Sequence, residues 1–77
     1  MDTQLLMRTA MLAGEMMLCS GAETYRVEDT MGHILKTAEN LETAEVLVLM
    51  TGITASLKCR GQEAVTMVER VEDRGTN

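Results

Sequence analysis

Seventy-seven residues, twelve of them acidic, seven basic and one aromatic, allow no more than one small domain. A domain of that size hides only about 60% of the surface its unfolded chain exposes. The net charge of −5, with no basic stripe and no aromatic platform for stacking, excludes nucleic acid as an expected partner and argues against a helix held on anionic lipid.

With eight Met, one Tyr and neither Phe nor Trp, cohesion has to come from Leu, Val, Ile and Met, which makes a soft core. Cys19 and Cys59 stand in no zinc-like spacing, and both are expected to be reduced, buried, small apolar residues. No metal and no cofactor is expected.

"LLMRTAMLAGEMMLC", Leu5 to Cys19, is strongly apolar but carries Arg8 and Glu15, and it is shorter than the roughly twenty apolar residues of a spanning helix. Asp2 stands where a signal peptide would carry a basic region. Leu5, Leu12, Met16 and Cys19 form one stripe at helical spacing, and Leu6, Ala10, Ala13 and Met17 form a second. Gln4, Arg8 and Glu15 mark a narrow polar side. The spacing predicts a helix over about 3–20, buried on most of its circumference. Gly21 suits the position just past its end. Ser20, with Glu23 three residues later, reads as a capping box for a second helix.

That second helix, about 22–39, has Val27, Met31, Ile34, Ala38 and Leu41 as one buried stripe, and Asn40 marks its end. The short connection makes the pair an antiparallel hairpin. After "NLETAE" the period changes. "VLVLM" reads as a strand covered on both faces, about 44–50. "ITASLKC" alternates cleanly over 53–59, with Ile53, Ala55, Leu57 and Cys59 on one side. Thr51-Gly52 is the bend between them, "RGQE" is the next turn, and a third strand runs over 65–71. The fold class is therefore α+β: a helical hairpin followed by a three-stranded antiparallel sheet, α-α-β-β-β. The ending "VEDRGTN" has no terminating element and reads as a truncation.

"GAETYRVEDTM" is the densest set of unlike groups. Arg26 lies three positions from Glu23 and from Asp29, so the three can share a helix surface, either as an exposed charge ladder or as an arginine held to meet an anion or a partner loop. Glu28 and Asp29 are adjacent and point about 100° apart on a helix, so they cannot act as a facing carboxylate pair. Tyr25 reads as a plug at the core or its rim. His33 is the only His, and a Ser20 or Cys19 triad with it founders because Ser20 is better employed as a cap. The glycines form neither a dinucleotide fingerprint nor a P-loop. From the residues alone no catalytic group is assigned.

Gly21-Ala22-Glu23-Thr24-Tyr25-Arg26-Val27-Glu28-Asp29, then Thr51-Gly52-Ile53, then Arg70-Val71 with Arg74-Gly75, follow one another in an order that resembles the N-terminal region of the threonine/serine exporter family. The resemblance covers nearly the whole chain. Met50 departs from it, standing where many relatives are expected to carry proline. The resemblance implies a segment ahead of the membrane helices of an inner-membrane exporter of threonine, serine or small carboxylates, on the cytoplasmic side and soluble by itself. It implies as partners the membrane-embedded part of the same transporter or a partner subunit, with a homo-oligomer as a further option. It places Glu23, Tyr25, Arg26, Glu28, Asp29, Thr51 and Gly52 on a binding or docking surface. The expected role is docking or regulation rather than catalysis. The alternatives are a small hydrolase using Arg26 and nearby acids, which would need Tyr25, Arg26 and Glu28 in one cleft, and a stand-alone metabolite-binding or dimerisation module.

Overall fold

The computed structural model describes residues 2–72; residue 1 and residues 73–77, and with them Arg74-Gly75 and all but the first two residues of the ending read as a truncation, lie outside the described residues. The element order is α1 (Thr3–Cys19), α2 (Thr24–Leu35), β1 (Leu41–Leu49), β2 (Gly52–Cys59) and β3 (Val65–Arg70). The three strands form an antiparallel meander in the order β1-β2-β3. This is the expected α-α-β-β-β arrangement, with both helices on one sheet face. α2 lies over β1, and α1 lies over β2 and β3.

α1 begins at Asp2, whose side chain accepts from the Gln4 N–H at 3.4 Å. It ends in a Schellman motif: Ala22 N–H donates to the Met17 carbonyl and Gly21 N–H to that of Leu18, each at 3.0 Å. Gly21 takes φ +91°, a left-handed conformation that glycine adopts without a Cβ penalty. Ser20 belongs to this C-terminus and not to a capping box for α2. Its hydroxyl donates to the Met16 carbonyl at 2.9 Å, and the extended residue ahead of α2 is Glu23, whose side chain caps nothing.

α2 is shorter than the 22–39 expected. Residues 21–23 are used to unwind from α1, and beyond Leu35 the backbone folds into tight turns, Thr37 N–H to the Ile34 carbonyl and Ala38 N–H to that of Leu35. Asn40 then takes φ 58° and sends the chain into β1 at Leu41. The buried stripe is therefore Val27, Met31 and Leu35; Ile34 and Ala38 are half-buried beside it, and Leu41 pairs with Cys59 as strand.

Ile53, Ala55, Leu57 and Cys59 of β2 all face the helices and are fully buried, as their alternation predicts. The β1–β2 bend falls on Met50 and Thr51, because Leu49 pairs with Gly52. Gly52 is a place of close approach: a Cβ there would stand 3.2 Å from the Glu69 carbonyl oxygen. Gly14 plays the same part between the helices, where a Cβ would run into the Met31 side chain.

Two expectations of burial fail. "VLVLM" is covered on one face only: Val48 is buried and Val46 half-buried, whereas Leu47, Leu49 and Met50 are exposed, with Val68 of β3 across the same outer face. A single helical layer can cover only one side of a sheet. Likewise α1 does not bury both its apolar stripes. Leu6, Met7, Ala10, Met11, Gly14 and Leu18 face the core, while Leu5 (52%), Leu12 (58%) and Met16 (61%) are exposed on the opposite side. Cys19 lies with this outer stripe and is exposed, contrary to expectation; Cys59 is buried, and both thiols are free.

Candidate functional site

The motif around Tyr25 divides among three surroundings, because successive α2 residues turn by about 100°. Val27 points into the core. Glu28 lies three residues before Met31 and seven before Leu35, so it borders the buried stripe and faces β1. Its Oε2 accepts the Val48 backbone N–H at 2.9 Å. β1 is an edge strand, and this carboxylate satisfies one of its main-chain donors from the helix layer. Glu28 thus holds α2 to the sheet.

Tyr25, Arg26 and Asp29 turn outward and line one open cleft with Met17 and Thr30. Tyr25 does not plug the core: it is 66% exposed. Its hydroxyl is hydrogen-bonded to the Glu23 carboxylate, which, with a smaller contribution from desolvation, raises the phenol above its ordinary value. Loss of the proton would set two negative charges side by side.

Arg26 is exposed and, among the described residues, has no side-chain hydrogen bond or ion pair. The charge ladder expected from spacing is therefore not formed. Glu23 is engaged by Tyr25, and Asp29 stands 4.0 Å from His33 Nδ1, which also meets the Asp29 carbonyl oxygen at 2.8 Å. The cleft presents an exposed guanidinium, a phenol, a threonine hydroxyl and a methionine, all on well-formed helix.

Thr51 and Gly52 lie apart from this cleft. They line an apolar depression with Leu47, Leu49, Val68 and Arg70 at the far face of the sheet. The Thr51 carbonyl accepts the Val71 N–H at 2.9 Å, tying the hairpin tip to the end of β3. Of the seven residues on the expected surface, then, Tyr25, Arg26 and Asp29 are brought together, Glu23 joins them through Tyr25, and Glu28, Thr51 and Gly52 sit elsewhere.

Among the described residues no three of His, Cys, Asp and Glu gather closely enough to hold a metal ion, and no helix is long and apolar enough to cross a membrane. Residues unmarked by sequence reasoning also contribute: Met17 and Thr30 complete the cleft. Their only signal is position, one on the helix ahead of the motif and one a helical turn beyond Arg26.

Comparison with known proteins gives one match. A family model described as "ThrE: Putative threonine/serine exporter" matches residues 8–77. No curated protein and no solved structure matches. The matched span runs from α1 through the cleft, the sheet and the end of the chain, and the chain belongs to the threonine/serine exporter family.

Proposed function

We propose that this chain is the part of a threonine/serine exporter that lies outside the bilayer, on the cytoplasmic side, and that it docks on or regulates the membrane-embedded part of the same transporter. The observation that carries the reading is the cleft of Tyr25, Arg26, Asp29, Thr30 and Met17, in which the guanidinium is exposed and, among the described residues, unpaired. Tyr and Arg are the residue types that anchor protein contacts, and an unpaired arginine is ready to take a carboxylate from a partner loop. The transported solute on this reading is a small hydroxyl-bearing amino acid or a short carboxylate, carried by the membrane part and not by this chain.

What favours docking over catalysis is the placement of Glu28. A hydrolase built on Arg26 and its neighbouring acids needs Tyr25, Arg26 and Glu28 in one cleft, and the Glu28 carboxylate is instead occupied by the Val48 N–H. The test is Arg26→Ala in the full-length transporter. Export or assembly with the membrane part is expected to fall while the melting of the chain stays within about 0.5 kcal/mol of wild type, as for an exposed substitution. Equal loss of folding and export would make Arg26 a structural residue and remove the proposal. Ester or peptide hydrolysis by the purified chain, abolished by the same substitution, would replace it with the enzymatic reading.

A further inference from the structure

α1 carries more apolar surface than its own fold uses. Leu5, Thr9, Leu12, Met16 and Cys19 follow a 4-3-4-3 spacing along the side opposite the core. That is the seam of a two-helix coiled coil, one apolar row repeating every 3.5 residues. Thr9 is the one polar member, and its hydroxyl already donates to the Leu5 carbonyl at 2.8 Å. It can be covered without leaving an unsatisfied group, showing its methyl to a partner.

The charges beside the seam decide what covers it. Arg8 and Glu15 immediately precede Thr9 and Met16, so they flank the same edge seven residues apart. Neither has an ion-pair or side-chain hydrogen-bond partner among the described residues. We propose that the outer face of α1 is an interface with a second copy of this chain, in which the two α1 helices pack antiparallel. In that register Leu5 meets Met16 of the second copy, Thr9 meets its Leu12, and the same contacts repeat across the two-fold axis. Arg8 of each copy then stands beside Glu15 of the other, giving two ion pairs at the rim. A parallel pairing would instead set Arg8 against Ala13 and Glu15 against Ser20, with no complement at all. Flanking charges fix orientation in this way in coiled coils. A lipid surface is disfavoured as the occupant by the net charge of −5.

The seam is only four layers deep, so the dimer is a weak, concentration-dependent one, at the small end of specific interfaces. It does not depend on the docking role of Arg26, which lies on α2 and is left untouched by the test. Sedimentation of the 77-residue chain over a range of concentrations is expected to show reversible dimerisation. Arg8→Glu and Glu15→Arg are each expected to weaken it by about tenfold or more, and the exchanged pair Arg8→Glu/Glu15→Arg to restore most of the affinity. A mere net-charge effect would move the two single variants in opposite directions, since one adds negative charge to an acidic chain and the other removes it. Leu5→Cys/Met16→Cys in a Cys19→Ser background is expected to cross-link into a covalent dimer under mild oxidation. Val68→Glu, on the bare sheet face, is expected to leave association unchanged. A chain that stays monomeric throughout, a Glu15→Arg variant that associates more strongly, an exchanged pair that gains nothing, or an association that follows Val68 would each overturn the proposal.

Discussion

The two helices of the hairpin differ in how they use apolar side chains. α2 has few: Val27, Met31 and Leu35 are all buried, and much of the rest of its surface is polar. α1 has nearly two sets, one in the core and one, Leu5, Leu12 and Met16, turned away from it. Both helices pack on the same sheet face, so the surplus on α1 is not a matter of layer. Single exposed leucines are ordinary on protein surfaces. A row of them at regular spacing with charges at its edge is a different object, because among the described residues nothing covers it. α2, by contrast, places its irregular groups, Tyr25 and Arg26, where they meet solvent and uses Glu28 to fix its own position.

The largest expected contrast lies within α1 itself. Leu18→Ala, at a core position only 1% exposed, is expected to cost about 2–5 kcal/mol. Leu12→Ala in dilute solution should change stability by less than about 0.5 kcal/mol. Urea melts of the two variants measure this, and equal losses would erase the distinction between the faces. Next comes the fixing of α2. Glu28→Ala strands the Val48 N–H and is expected to cost about 1–3 kcal/mol, whereas Glu28→Gln keeps an acceptor and should lose less. Amide hydrogen exchange at Val48 should accelerate with the first variant. If the two substitutions were equivalent, it would be charge and not the hydrogen bond that holds the helix.

A smaller effect separates the two helix glycines. Gly14 sits against Met31 and has a packing reason to be glycine, while a Cβ at Gly32 would meet nothing within 4 Å. Gly32→Ala is therefore expected to raise stability by about 0.5–1 kcal/mol, read from a shift in the denaturant midpoint. A loss would mean that a methyl at Gly32 is not accommodated in the open space there. The smallest effect concerns Tyr25, the only aromatic, whose ionisation can be followed by phenolate absorbance without interference from other tyrosines. Its midpoint should lie above the ordinary tyrosine value of about 10, and Glu23→Ala should bring it down towards that value. Because the folded value is raised, the associated stability is present below the ordinary value and is lost as pH rises through the raised one. An unshifted midpoint in the wild-type chain would dissolve the Glu23–Tyr25 pairing.

The sequence made the order of elements legible because the period changes sharply after Asn40, from the spacing of helices to the alternation of "ITASLKC". The stop at Gly21 was legible because a left-handed residue after a helix narrows the choice of residue so strongly. Periodicity failed on which face meets the rest of the chain. It ranked the two stripes of α1 equally, and it read "VLVLM" as buried on both sides, since an apolar residue looks the same whether its neighbours belong to this chain or to another. It placed Arg26 between two acids by spacing, but each acid has a nearer claimant, Tyr25 for Glu23 and His33 for Asp29. The link between Glu28 and Val48 spans twenty positions and follows from no local pattern. Once the buried stripe is drawn through Met31 and Leu35, the inward aim of Glu28 becomes readable.

The two free cysteines occupy opposite situations, Cys19 exposed at the end of α1 and Cys59 buried at the end of β2. A thiol reagent added to the native chain should therefore react at two separate rates. Modification of Cys19 reports access to the outer face of α1, and covering that face should slow it. Modification of Cys59 has to wait until the helix layer lifts from the sheet, so its rate is a clock for opening of the core. The protein thus carries, without any added label, one probe of its surface contacts and one of its global integrity.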